Sequence, residues 1–408
     1  MGMKIVPHVF AVSMRGWRCM DIDLTGYRSI DTHPMTPVLE PIDLDDATTA
    51  NLRHVGVLMD DQPRSGTYIL QDHHARCSYT TFEGLTVIPI ADAVKKDPEF
   101  RKHYYWHLIK PDEDQITRTV ASQSEPQGFY LRVKAGMKVT YPYQAALYLA
   151  SANVAQTVHN VVVLEEGAEL ELITGCLTHP QVEKGVHFAV TETYIGKRAK
   201  LTNIMVHSWA QGVIVRPRAV TTVDEEGIYL SQYASLKTGA DIISNPTTYL
   251  NGKNASANFM SIILAETGSK VSTGSTVYLN ANGTTAELKH RGVTTGGAVH
   301  QGGLMIGNAE CKAHVDCSGM VLDPKGAGYI ESVPGVRSNH RDARLSHEAS
   351  IGKIAPEQVE YLMSRGFREH EAISLIIRGF LGGDMSWLGE ELNDAIQEIT
   401  DIAAQGEG

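Results

Sequence analysis

"HNVVVLEEGAELELITG", residues 159–175, sets the texture of the long middle of the chain. Leu170 and Leu172 alternate there with Glu169 and Glu171, the period of two expected of a strand with one buried and one wet face. The "EEGAE" inside it carries good turn chemistry. The same texture extends outward through "FYLRVKAGMKVTYP", "VHFAVTETYIG" and "AKLTNIMVHSW". Gly-containing turns such as "NANGTT" arrive about every ten residues, and no helical period intervenes. Gly128 to about Leu345 therefore reads as one all-β domain. A sandwich, a barrel and a parallel β-helix all fit that pattern. Isolated Gly, Asn and Thr positions and the lack of regular two-residue hairpin turns favour the β-helix, whereas no strict hexapeptide period is visible.

The flanks read differently. Residues 1–20 look like a poorly ordered extension, with Pro7 and His8 interrupting a mildly apolar stretch and no signal-peptide cleavage site following. Residues 21–125 form a mixed α/β region with helical stretches "DDATTANLRHVGV" and "IADAVKKDPEFRKHYYWHLI", the second ended or bent by Pro98. The β core occupies 126–345. Residues 346–408 form a small helical domain. Its first helix starts at Pro356 with acidic Glu357 and Glu360 and stops at Arg365-Gly366. "REHEAISLIIRGFLGG" and "SWLGEELNDAIQEITDIAAQ" supply two more. In the former, Ala372, Leu375, Ile376 and Phe380 form an apolar stripe that Ile373 and Ile377 widen.

Composition excludes several classes. The 408 residues are 42% hydrophobic and 20% charged, ordinary for a globular protein of two or three domains. A net charge of -11 argues against a general nucleic-acid binder or an anionic-membrane binder. No run of 18 apolar residues provides a membrane span. Five scattered cysteines, Cys19, Cys77, Cys176, Cys311 and Cys317, suit a reducing cytoplasm rather than a disulfide framework, and no CxxC suggests structural zinc. GxxxxGK[ST], GxGxxG, HExxH and GxSxG are absent, so an ordinary hydrolase or dehydrogenase has no support.

What remains is a thiol, imidazole and carboxylate set. "AECKAHVDCSGMVL" places Cys311 and Cys317 on one strand face, with His314 and Asp316 on the other. "LSHEASIGKIAPEQVEYL", residues 345–362, puts His347 beside Glu348 just ahead of the Pro-Glu helix start, where Ser346 and Glu348 share a face. Cys176 follows a strand and a glycine in "LITGCLTHP"; His159 and Asp72-His73 are further polar candidates. The plain alternative for each is a satisfied structural role. Soft thiolate with harder partners suits iron or zinc at a labile site.

"LSHEASIGKIAPEQVEYLMSRGFREHEAISLIIRGFL" closely resembles the C-terminal signature of the SufB/SufD family, scaffold proteins of iron–sulfur cluster assembly, and "SANVAQTVHNVVVLEEGAELELITGC" is similar to a second family pattern. The resemblance runs from about Asn51 to about Leu381. It implies a right-handed parallel β-helix core, with mixed and helical flanks, and so a mainly β protein. It implies a SufC-type ABC ATPase partner, through which alone ATP enters, and therefore no enzyme activity in this chain. The family's sulfur-accepting cysteine falls on Cys176, after Gly175, and its cluster-building cysteine on Cys317. The family's Glu-His-Glu falls on Ser346, His347 and Glu348, so the first glutamate is missing; Cys311 and Ser346 are secondary candidates.

Both cysteines and the last glutamate make the chain look like SufB more than SufD. The implied function is a scaffold that receives sulfur and iron, builds a [2Fe–2S] or [4Fe–4S] cluster and passes it to recipient apo-proteins. A homodimer, or a pair with a SufD-like paralogue, would place His347 and Glu348 where two protomers meet. Replacing thiolates by carboxylate or imidazole loosens the hold on a cluster that must be given away. Cys176 and Cys317 are 141 positions apart. At about 20–24 residues per coil and about 4.8 Å between coils, this is roughly six or seven coils and about 30 Å, so the interior would have to conduct the sulfur. A structural SufD-like subunit and a carbohydrate-active β-helix are the alternatives.

Overall fold

The computed structural model describes residues 21–28, 42, 44–59, 62–322, 326–382 and 396. The extension 1–20 and, apart from Ile396, the helix expected in "SWLGEELNDAIQEITDIAAQ" lie outside those residues.

Helix α1 (Asp46–Arg53) comes first, then strands β1 (Gly66–Gln71), β2 (His74–Thr80) and β3 (Leu85–Pro89). Helices α2 (Ile90–Lys96) and α3 (Pro98–His103) follow, then α4 (Gln115–Ala121). The break before Pro98 is the one its ring imposes, and the Asp97 carboxylate caps the new helix by accepting from Phe100 N at 2.9 Å.

The chain then winds into about eight coils of a parallel solenoid, each giving one strand to each of two sheets. The first coils are β4 (Phe129–Val133) with β5 (Tyr143–Leu149), β6 (Val154–Leu164) with β7 (Glu169–Thr178), and β8 (Gly185–Ile195) with β9 (Lys200–Trp209). Next come β10 (Val213–Val223) with β11 (Ile228–Thr238), then the split strand β12 (Asp241–Ser244) and β13 (Thr247–Leu250) with β14 (Ser256–Ala265). A second split strand, β15 (Lys270–Thr273) and β16 (Thr276–Leu279), precedes β17 (Thr284–Thr294). The last coils are β18 (Ala298–Gly307) with β19 (Cys311–Val321) and β20 (Tyr329–Ser338) with β21 (Arg344–Gly352). β1 and β3 extend the two sheets at the N-terminal end, and α5 (Pro356–Ser364) and α6 (Glu369–Leu381) close the described chain.

Register partners on successive coils are 27 positions apart for His290 and Cys317 and 32 for Cys317 and Ala349. That is larger than the 20–24 expected, because each coil carries two strands that are mostly ten or eleven residues long plus its corners. Cys176 on β7 and Cys317 on β19 are consequently five strand spacings apart, about 24 Å rather than 30.

One corner of the first six coils repeats the same backbone. Gly136, Gly167, Arg198, Glu226, Asn254 and Gly283 all have φ between +55 and +78°. Each donates its N–H to the next coil's turn, as Gly167 does to Lys197 O and Arg198 to Glu225 O, both at 2.8 Å. Glycine suits this left-handed conformation; at Gly167 and Gly283 it is what makes "EEGAE" and "NANGTT" turns. The same corner, just past the end of the preceding strand, carries an amide ladder, Asn251, Asn280, Asn308 and Asn339, linked in sequence at 2.7 Å.

Inward-facing side chains fill the space between the sheets, among them Leu170, Leu172, Val215, Leu288 and Val315. Outside, Ile109, Ile116 and Val120 pack on Val186 and Phe188. Helix α6 lies over the outer face of the other sheet, near Ile262, Val293 and Met320. Its buried row is Ala372, Ile373, Ile377 and Leu381. The expected stripe is therefore rotated: Leu375 is exposed, and Ile376 and Phe380 are only partly covered.

Candidate functional site

Strand parity distributes the sequence-predicted residues. On β19, Cys311, Ala313, Val315 and Cys317 face the interior and His314 and Asp316 face out, as the spacing predicts. β21 continues that order: Ser346 pairs with His314, His347 with Val315, Glu348 with Asp316 and Ala349 with Cys317. His347 thus shares the interior side with Cys317, while Ser346 and Glu348 lie outside. His347 and Glu348 sit within a strand, several residues ahead of α5 rather than at its start.

The outer group is a small polar network. His314 is hydrogen-bonded to Ser346 Oγ at 2.8 Å through Nδ1 and lies 3.4 Å from Glu348 Oε1 through Nε2. Asp316 pairs with Arg291 and accepts from Ser318 Oγ at 2.9 Å. Its carboxyl is lowered because the hydrogen bonds from Arg291 and Ser318 outweigh desolvation, the largest single effect. On the inner side, His347 Nδ1 donates to Pro334 O at 2.9 Å, leaving Nε2 for another partner. Among the described residues, no group of three or more His, Cys, Asp or Glu is placed to hold a metal ion.

The interior itself is polar in one lane. A cavity of about 130 Å³ runs between the sheets, lined by Cys176, His207, Tyr233, Ser261 and His290. Cys176 pairs in register with His207, Tyr233 with Ser261, Ser261 with His290, and His290 with Cys317. Tyr233 Oη and His207 Nδ1 are hydrogen-bonded at 3.1 Å, and His187 Nδ1 donates to Gln156 Oε1 at 2.7 Å. Burial pushes the Cys176 and Cys317 thiols up to about 12, Asp316 adding to the effect at Cys317. Burial pushes His187 and His207 down to about 3 and His290 to about 4, with the Gly302 backbone drawing the last partly back. The lane therefore holds neutral thiols and neutral imidazoles. Cys311, whose thiol burial also raises, sits at the start of β19, six positions from Cys317 and packed toward Leu345.

Sequence reasoning missed His187, His207, Tyr233 and His290. Extending the alternation of Ala286 and Leu288 along β17 points His290 inward, so the signal was present; its neighbours Lys289 and Arg291 disguise it as surface. Two other polar candidates make buried hydrogen bonds of their own. His159 is fully buried outside the sheet, 3.0 Å from Glu192, which also accepts from Trp106 N at 2.7 Å and Ile109 N at 3.2 Å. Asp72 accepts from Ala150 N at 2.8 Å and Ser151 Oγ at 2.7 Å, and His73 donates to Ala155 O at 2.9 Å.

Comparison with known proteins agrees with this geometry. The family described as SUF system FeS cluster assembly, SufBD core domain, matches residues 147–380. A SufBD family protein of iron–sulfur cluster assembly from Archaeoglobus fulgidus is 39% identical over 353 residues, covering 86% of this chain and 94% of that one. One from Methanothermobacter thermautotrophicus is 34% identical over 391 residues, 95% of each chain. The iron–sulfur cluster assembly protein SufB of Bacillus subtilis is 26% identical over 310 residues, 73% of this chain and 64% of that one. The matched core contains the interior-facing Cys176 and Cys317, and two of the alignments span nearly whole chains: the chain belongs to the SufBD family of iron–sulfur cluster assembly proteins.

Proposed function

We propose that the chain is a SufB-like scaffold on which iron–sulfur clusters are built de novo, in the cytoplasm, as cargo for recipient apo-proteins. Cys176 accepts sulfur. Cys317, with His347 and Glu348, receives the cluster, Cys311 and Ser346 being secondary. The chain performs no ATP chemistry of its own; a SufC-type ABC ATPase docks on the C-terminal helices α5 and α6, which begin at Pro356 rather than at residue 346. A second copy, or a SufD-like paralogue, completes the ligand set, since Cys317 and Glu348 face opposite sides of one sheet.

One observation carries the reading: Cys176 and Cys317 open to the same interior of the same sheet, with a polar lane between them. Sulfur passes between thiols as a persulfide by exchange, without net redox change. A spacing of about 24 Å forbids direct contact and is bridged by that lane. Anaerobic purification, with iron and acid-labile sulfide measured before and after reconstitution, tests it. The expected result is stoichiometric iron and sulfide that depend on Cys317. A chain that never retains either is a structural, SufD-like subunit, a reading favoured by the missing glutamate at Ser346.

A further inference from the structure

Cys317 is flanked asymmetrically. Toward the open end of the solenoid its register partner is Ala349; toward the cavity it is His290. His290 lines the cavity and Cys317 does not, so anything moving down the lane from Cys176 meets His290 first. Its side chain is 2% exposed, yet neither ring nitrogen lies at hydrogen-bonding geometry to a partner among the described residues, the Gly302 backbone acting on the ring only weakly. Gln301, on the facing sheet, donates to Ser318 O and Ser332 Oγ, both at 2.9 Å, and leaves its own Oε1 unpaired. Leaving polar groups buried and unbonded is unfavourable, and a polar guest removes that penalty.

We propose that His290, with Gln301 Oε1, is a seat for an inorganic sulfane species of the hydrodisulfide class, held against the Cys317 thiol for transfer. This rests on the scaffold reading and names a positioning residue within it. A neutral imidazole offers one N–H donor and one lone pair, matching an anion that carries both a sulfur acceptor and an S–H. Hydrosulfide first takes the sulfane from a Cys176 persulfide: Cys176–S–SH and HS⁻ give Cys176–SH and HSS⁻. At the seat, the Cys317 thiol proton passes to the terminal sulfur of HSS⁻. Cys317 Sγ then bonds the sulfane sulfur, the S–S bond of the hydrodisulfide breaks, and its electron pair leaves on HS⁻. The product is Cys317–S–SH, and no external oxidant or reductant is consumed.

The test uses the full chain under anaerobic conditions with sodium disulfide as probe. Persulfide on Cys176 and on Cys317 is trapped with an alkylating agent at timed intervals and counted by peptide mass spectrometry. His290→Leu should slow labelling of Cys317 by about tenfold or more while Cys176 labels at the normal rate; His290→Gln, which restores a donor and an acceptor, should recover most of it. Gln301→Met, on the other sheet, should produce a smaller slowing in the same direction and covers the case in which His290→Leu fails to fold. Equal Cys317 labelling in the folded variants would overturn the role of His290 alone. Absence of persulfide on Cys317 of the unaltered protein would overturn the scaffold reading with it.

Discussion

Cys317 and Glu348 lie on adjacent strands of one sheet and point to opposite sides of it. Asp316 is the register partner of Glu348, and Cys317 is the partner of Ala349. Within one protomer the backbone of β19 and β21 stands between the thiol and the carboxylate, so they cannot grip the same ion. Cys317→Ser should therefore abolish the iron-dependent visible absorption after reconstitution, whereas Cys311→Ser keeps it. Glu348→Ala should lower iron loading while leaving persulfide on Cys317 unchanged. Normal iron content in Glu348→Ala would return that residue to a plain surface role.

Acid should destabilise the fold through its interior histidines. His187 and His207 have folded-state values of about 3 against 6.5 in the ordinary state, with burial as the cause. Below the unfolded value the unfolded chain binds protons that the folded chain refuses, so stability falls as pH drops, by up to ~1.4 kcal/mol per pH unit for each histidine. The window runs from about 6.5 down to about 3. Urea midpoints measured at several pH values check this, and His207→Gln should flatten the dependence by about one histidine's share. An unchanged slope in that variant would exclude His207 as a contributor.

The stacked corner contains residues that pay for their conformation. Exposed Glu226 holds φ +57° where Gly167 and Gly283 hold +69 and +78°. A left-handed conformation costs a residue with a side chain roughly 1–2 kcal/mol, part of which glycine loses again through its freer unfolded chain. Glu226→Gly should stabilise by a few tenths to about 1 kcal/mol, read as a higher urea midpoint with unchanged slope.

The helical end presents apolar side chains that nothing in the chain covers among the described residues. Tyr361 is 58% and Phe367 42% exposed, with Met363 and Leu375 both at 45%. A docked ATPase would bury such side chains in a groove. Tyr361→Ser with Phe367→Ser should abolish co-purification with a SufC-type ATPase, while thermal stability, carried by buried Ala372, Ile373 and Ile377, stays within about 1 kcal/mol. Retained binding at full affinity would move the docking site elsewhere.

Much of this was legible in the residues. Alternation in "AELELIT" and in "AECKAHVDCSGMVL" put the right side chains on the right faces, because strand parity survives whatever the tertiary setting. The break at Pro98 followed from ring chemistry alone. The coil length did not emerge, because the repeated element is a backbone conformation filled in turn by Gly, Arg, Glu and Asn, which leaves no residue-level period. The placement of His347 and Glu348 was misjudged because β21 continues well past them before α5 begins. The rotation of the α6 stripe reflects which outer-sheet residues it meets, Val293 and Met320, information that no single helix contains.

The near-constant offset between register partners has a mechanical consequence. Within the sheets each coil pairs with its two neighbouring coils, so sheet cohesion is local and repeats from one end to the other. Closing a coil always means closing a loop of similar size, 27 positions between β17 and β19 and 32 between β19 and β21, however many coils already exist. Pulled between its ends, the solenoid should peel coil by coil from a terminus, each release lengthening the tether by roughly 100 Å. A single all-or-none rupture would instead mean that the flanking helices bind distant coils together more strongly than the coils bind each other.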